Sequence, residues 1–280
     1  MNQLLVPPAF LSFIQKKIMN QKLNRRFILA LGISLSLIAC NQGEKKEEPA
    51  ANADSTSKAA TDTVQPVAKE AGPDALAVAP GLYKQIGDTL GLKVIEATYK
   101  PGDSSAMHAH TADYALYVIA GGTTAFYTKE GARMVNEMKT GAVNIRPAED
   151  HSVKNIGKTT VKVLLVEVNR PRGTSSQDAS MDPTKVAATL YKSMRDTLGI
   201  RIVEATYKPG QSSAMHSHPD AEIYAISGGT AAFTEKDGTK RTNELKTGMA
   251  MYTPAGSHSV KNIGKTTLKV LLVEVNRPLK

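Results

Sequence analysis

A chain of 280 residues, 41% of them hydrophobic, is long enough for one or two domains with sizeable cores. The first 39 residues hold five of the positive side chains and no acid, so the net charge of +9 falls to +4 beyond them. So small a surplus, with no aromatic-rich basic stretch, argues against nucleic acid and suits solubility or a small anionic ligand.

The chain opens with a basic segment, Lys22-Leu23-Asn24-Arg25-Arg26, followed by an apolar run from Phe27 to Ala39. That run is shorter than the ~20 residues a membrane-spanning helix needs, and it fits the core of a signal peptide. Met19 opens an ordinary signal sequence, which makes residues 1–18 an upstream extension of a signal peptide that covers 1–39. Leu37-Ile38-Ala39-Cys40 resembles a bacterial lipoprotein lipobox, and the resemblance implies that Cys40 becomes the lipidated first residue of the mature protein. Cys40 is also the sole cysteine, so disulfides have no part in the fold. Residues 40–80, rich in Ala, Glu, Lys, Asp, Ser and Thr, read as the lipidated cysteine and a flexible tether, because they carry too little apolar surface to offset ordering entropy. These features predict export to the bacterial cell envelope, with the membrane contacted through the lipid anchor alone.

The rest is a tandem repeat. Ile95-Glu96-Ala97-Thr98-Tyr99-Lys100-Pro101-Gly102 recurs from Val203 to Gly210, His151 to Thr160 recurs from His258 to Thr267, and Lys162 to Pro171 recurs from Lys269 to Pro278. The repeats set domain bounds of 81–171 and 182–280, joined by a linker over 172–181. Short alternating apolar runs such as Leu92 to Tyr99, Tyr114 to Ile119, Thr123 to Tyr127 and Val161 to Val168 are separated by Gly, Pro, Asp or Asn. The spacing predicts an all-β antiparallel sandwich or barrel in each copy. Only the stretch from Pro183 to Met194 looks helical.

All six histidines fall at matching places, three per copy. In the second copy, His216 and His218 are two apart on a strand, so their rings point the same way, about 7 Å apart along the chain. Glu222 follows a turn marked by Pro219-Asp220, and His258 arrives from a later strand. Three imidazoles and a carboxylate suit Mn, Fe, Ni, Co, Cu or Zn, with raw affinity favouring Cu or Zn. The first copy offers His108, His110 and His151, but Ala115 aligns with Glu222 and Asp113 lies two positions earlier. That copy is therefore a three-histidine site, a weak metal binder or a scaffold. Tyr224 and Tyr117, on the strands that follow, are candidates to line the pockets.

Gly210, His216, His218, Glu222 and Gly229 match the first cupin motif, and Gly248, Pro254, Gly256, His258 and Asn262 match the second with one residue fewer before the histidine. Over about 200 residues the chain resembles the cupin superfamily, and its duplication resembles a bicupin, two jelly-roll β-barrels in tandem. The resemblance implies one divalent transition metal per competent site and a small-molecule substrate or ligand, anionic by the charge argument. It also implies a range of chemistry, namely dioxygenase, isomerase or decarboxylase. A non-catalytic metal- or ligand-binding envelope protein is the alternative, and a homodimer stays open.

Overall fold

The computed structural model describes residues 72–173 and 178–279. The expected signal peptide and Cys40 lie outside the described residues. In the first repeat a short helix α1 (Ala75–Val78) precedes nine strands: β1 (Tyr83–Thr89), β2 (Leu92–Tyr99), β3 (His108–His110), β4 (Tyr114–Ala120), β5 (Gly122–Thr128), β6 (Arg133–Met138), β7 (Val143–Arg146), β8 (Glu149–Asn155) and β9 (Val161–Val168). The second repeat follows the same order: α2 (Pro183–Val186), β10 (Tyr191–Thr197), β11 (Ile200–Tyr207), β12 (His216–His218), β13 (Asp220–Ser227), β14 (Gly229–Glu235), β15 (Lys240–Leu245), β16 (Ala250–Thr253), β17 (Gly256–Asn262) and β18 (Leu268–Val275).

Each repeat folds into a five-stranded and a four-stranded antiparallel sheet. The orders are β1-β2-β9-β4-β7 with β3-β8-β5-β6, and β10-β11-β18-β13-β16 with β12-β17-β14-β15. Inward side chains of the two sheets make one core per repeat, around Tyr99, Val118 and Val163 in the first and around Tyr207, Ala225 and Val270 in the second. A third core joins the repeats. The outer faces of the five-stranded sheets meet through Val94, Tyr117, Val166, Ile202, Tyr224 and Val273, among others. Because those sheets are covered on both faces, β9 and β18 read as almost unbroken apolar runs rather than alternating ones.

Two boundaries differ from the sequence reading. The folded region begins before residue 80, inside the span expected to be tether, because Asp74 caps α1 and the helix buries Ala75 against the first core. The helical stretch after Pro183 lasts one turn, since Tyr191 onward pairs with β11.

Reciprocal contacts lock the repeats together. The hairpins β1–β2 and β10–β11 turn through Leu90-Gly91 and Leu198-Gly199, each with positive φ at both residues, as a two-residue type I′ loop requires. The Nε atoms of Arg170 and Arg277 donate to the carbonyls of Leu90 and Leu198, each at 2.8 Å. Each arginine then crosses to the other repeat: Arg170 pairs with Asp220 at 3.0 Å and Arg277 with Asp113 at 2.5 Å.

Candidate metal centre

In the first repeat β3 pairs with β8, which sets His108 opposite His151 and His110 opposite Glu149. The three histidine rings have centroids 5.2, 4.6 and 5.0 Å apart, and all three side chains are buried. One nitrogen from each falls within 4.8 Å of the others, the only such group among the described residues.

Two of the three Nδ1 atoms are already committed. That of His108 donates to the Ala106 carbonyl at 2.9 Å, and that of His110 meets Glu167 Oε1 at 2.7 Å. His151 Nδ1 lies 3.5 Å from Glu149 Oε1. His108 and His110 therefore each have Nε2 as the ligating position with a partner on the opposite nitrogen, although the His108 lone pair also accepts from Tyr83, which a metal would have to displace. Burial lowers the pKa of His108 to about 4 and lowers that of His151 as well, so both are neutral near pH 7, the form a metal requires. These residues fit a divalent transition metal with open positions left over.

Around the triad lies a polar set that the second repeat lacks. Tyr114 Oη donates to Glu149 Oε1 at 2.5 Å, and Arg146 grips both Glu149 oxygens at 2.5 and 2.6 Å. Burial works against ionisation of Glu149, yet contacts from His151, Arg146 and Tyr114 hold its pKa at about 2. Arg146 also stacks 4.7 Å above Phe126, whose ring is 4.4 Å from His151. A cavity of about 330 Å³, lined by His110, Tyr114, Phe126, Arg146 and His151 among others, opens beside these groups. On the far side, Tyr83 Oη lies 3.0 Å from His108 Nε2 and 2.5 Å from Tyr99 Oη. Since Nδ1 carries the proton of His108, Tyr83 donates to Nε2 and receives from Tyr99.

The second repeat repeats the scaffold with different contents. Tyr207 donates to Tyr191 at 2.6 Å and Tyr191 meets His216 Nε2 at 3.0 Å. His258 lies 4.9 Å from each of the other two rings, but His216 and His218 are 6.5 Å apart, and their Nδ1 atoms turn to the carbonyls of Ala214 and Pro219. Thr253 and Gly256 replace Arg146 and Glu149.

Glu222 does not join the histidines. Its Oε1 lies across the inter-repeat core, 4.0 Å from where a Cβ on Gly87 would stand. The cause is strand parity. Asp113 and Asp220 occupy equivalent corners, each accepting from the backbone of an alanine, Ala148 or Ala255. The second repeat reaches that corner from its histidine in one residue fewer, so Ala221 faces inward, where Tyr114 stands in the first repeat, and Glu222 faces outward with Ala115. Tyr117 and Tyr224 share the outward parity. They pack on each other at 6.2 Å in the inter-repeat core rather than lining either pocket. Asp113 serves the Arg172 and Arg277 clamp and offers nothing to the metal centre.

Sequence reading alone passed over Glu167, Tyr83 and Tyr99. The signal for Glu167 was present: a carboxylate set inside Val163-Leu164-Leu165-Val166-Glu167-Val168 is buried and must have a partner.

Two jelly-roll barrels in tandem, each with a histidine cluster between its sheets, define a bicupin fold. Comparisons with known proteins agree. Residues 203–274 match the cupin domain family, which places the second repeat within it. Two solved variants of Bacillus subtilis oxalate decarboxylase share the fold at 18% identity and a TM-score of 0.50, over 67% of this chain and 70% of theirs. No curated protein sequence matches the chain significantly.

Proposed function

We propose that the first barrel is a metal centre acting on a small anionic organic molecule, a short carboxylic acid being the first class to test. The observation that carries this reading is the convergence of His108, His110 and His151, the first two with Nδ1 committed elsewhere, beside a cavity that holds Arg146. A divalent transition metal at the triad would supply Lewis acidity or one-electron chemistry. Arg146 is placed to pair with a substrate carboxylate through a fork whose planar geometry suits it. Glu149, released as Arg146 turns to the substrate, is the acceptor for a proton, and Tyr114 Oη can hand one on. Phe126 and the leucine and valine side chains of the cavity wall exclude water. The structural neighbours' action on oxalate, given in their names, supports a carboxylic acid as the starting probe.

We place the protein in the cell envelope through lipid on Cys40, a reading supported by the lipobox-like run before it. Incorporation of labelled palmitate, lost in Cys40→Ser, tests this.

The non-catalytic reading has one observation in its favour: Nε and Nη2 of Arg146 are already taken by Glu149 rather than offered to the cavity. A single experiment separates the two. Chain loaded with Mn²⁺ or Fe²⁺ is supplied with a panel of short carboxylic acids, diketones and phenols while oxygen uptake and product are followed. Turnover lost in His151→Ala, together with its bound metal, is the expected result. Metal binding without turnover on any substrate would favour the binding role, and failure of any metal to bind would end the metal centre in either reading.

A further inference from the structure

The two barrels differ in what stands behind their second histidine. In the first, Lys93 lies opposite Glu167 in the β2–β9 ladder, and in the second Arg201 lies opposite Glu274 at the equivalent place in β11–β18. Lys93 Nζ takes Glu167 Oε2 at 2.6 Å and reaches Asp74, the α1 cap, at 3.0 Å. That leaves Oε1 for His110 Nδ1 at 2.7 Å. Arg201 instead sets both Nε and Nη2 on Glu274 Oε2 at 2.7 Å, and its Nη1 reaches Asp182, the α2 cap, at 2.6 Å. Glu274 Oε1 is buried with no hydrogen-bond partner. His218 Nδ1, the donor that would satisfy it by analogy with His110, is on the Pro219 carbonyl at 2.7 Å, and the ring sits farther from His216 than its counterpart does from His108.

The physical difference lies in the cations. An ammonium is a compact point donor that leaves a carboxylate free to turn its other oxygen to a third group, whereas a planar guanidinium with two N–H groups on one oxygen fixes the direction in which the other oxygen points. A carboxylate behind a metal-bound imidazole holds the ring in place and raises its basicity, and its loss lowers metal affinity by ~10–100-fold. The first barrel has this support and the second does not, although the second has the required carboxylate at the equivalent ladder position with an oxygen unsatisfied.

We propose that the barrels take up metal in order, the first before the second, and that the Lys93/Arg201 difference sets that order through the carboxylate behind His110 or His218. Lys93 and Arg201 are positioning residues, since neither touches the ion. The inference rests on the metal-centre reading above and adds a ranking and its cause.

The test is a titration of the metal-stripped full chain with Co²⁺, followed by calorimetry and by visible absorption, which reports cobalt coordination. Two steps separated by ~10-fold or more are expected. His108→Ala should remove the tight step and His216→Ala the weak one. Arg201→Lys should tighten the weak step by ~10-fold and leave the other unmoved, while Glu167→Gln should weaken the tight step by ~10–100-fold. If Glu167→Gln fails to fold, Lys93→Arg carries the same arm by putting the second barrel's guanidinium behind the first barrel's carboxylate, and a weakened tight step is expected. Equal affinities, a tight step that disappears with His216→Ala, or steps unmoved by Arg201→Lys and Lys93→Arg would overturn the ordering while leaving the metal centre standing. Absence of heat and colour in the parent chain would overturn the metal centre itself.

Discussion

Glu222 has the residue type and spacing of a metal ligand and the surroundings of a core residue. Only 3% of its surface is exposed, and burial alone raises its pKa to about 8 from 4.5. A carboxyl whose folded pKa lies above its unfolded value stabilises the fold fully below the unfolded pKa, and that contribution is lost as pH rises through the folded one. The Glu222 contribution should therefore fall between about pH 4.5 and pH 8, by about 1.4 kcal/mol per unit through the window. Glu222→Gln removes this ionisation and leaves those of the buried histidines in place, so the urea midpoint of the variant relative to the parent should rise steadily across this range. Parallel profiles would show that the carboxyl ionises at its ordinary pKa. The residue also marks the limit of motif reading. Six histidines in two matched sets were legible from the sequence because strand alternation alone aligns His216 with His218. The direction of Glu222 was not, because it depends on which residue of the turn anchors the next strand.

That anchor is an element-scale feature. The corners after β3 and β12 are fixed by Asp113 and Asp220, each held by the opposite repeat's arginine, and the alternation of β4 and β13 is counted from there. The strands themselves could be read from composition: β2 and β9 coincide with the apolar runs Leu92 to Tyr99 and Val161 to Val168. The corners could not, because their partners lie 50 and 164 residues away in sequence. Asp113 also carries a measurable share of stability. The hydrogen-bonded Arg172 and Arg277 hold its pKa at about 2 against the counter-effect of burial. Its contribution is present above about pH 3.8 and disappears as pH falls through about 2. Asp113→Asn leaves the Arg277 guanidinium buried without its counter-charge, which should cost about 3–5 kcal/mol at neutral pH. Chemical denaturation of parent and variant measures this, and a loss below ~1 kcal/mol would show the pair to be dispensable. The exposed partner Arg172 should matter far less, as surface pairs contribute little.

At the scale of the molecule, duplication has produced two scaffolds with unequal contents. Tyr83-Tyr99-His108 and Tyr191-Tyr207-His216 superimpose in role, whereas Tyr114, Arg146 and Glu149 become Ala221, Thr253 and Gly256. The barrels are nonetheless inseparable in stability. Side chains such as Val94, Val166, Ile202 and Val273 belong to a core that neither repeat could bury alone. Exposing that face would put a contiguous apolar surface in water at about 25 cal/mol per Å², a cost that each barrel avoids by docking on the other. Unfolding should then be a single transition. Scanning calorimetry of residues 72–279 should give a van't Hoff enthalpy equal to the calorimetric one, as two-state behaviour requires. Tyr117→Ala and Tyr224→Ala, whose rings are 6.2 Å apart, should each lower the one midpoint, and the double variant should lose less than the two losses combined because the partners share a contact. Two resolved heat peaks, with only one shifted by each tyrosine change, would mean that the barrels fold as independent units and that the shared core contributes little to holding them.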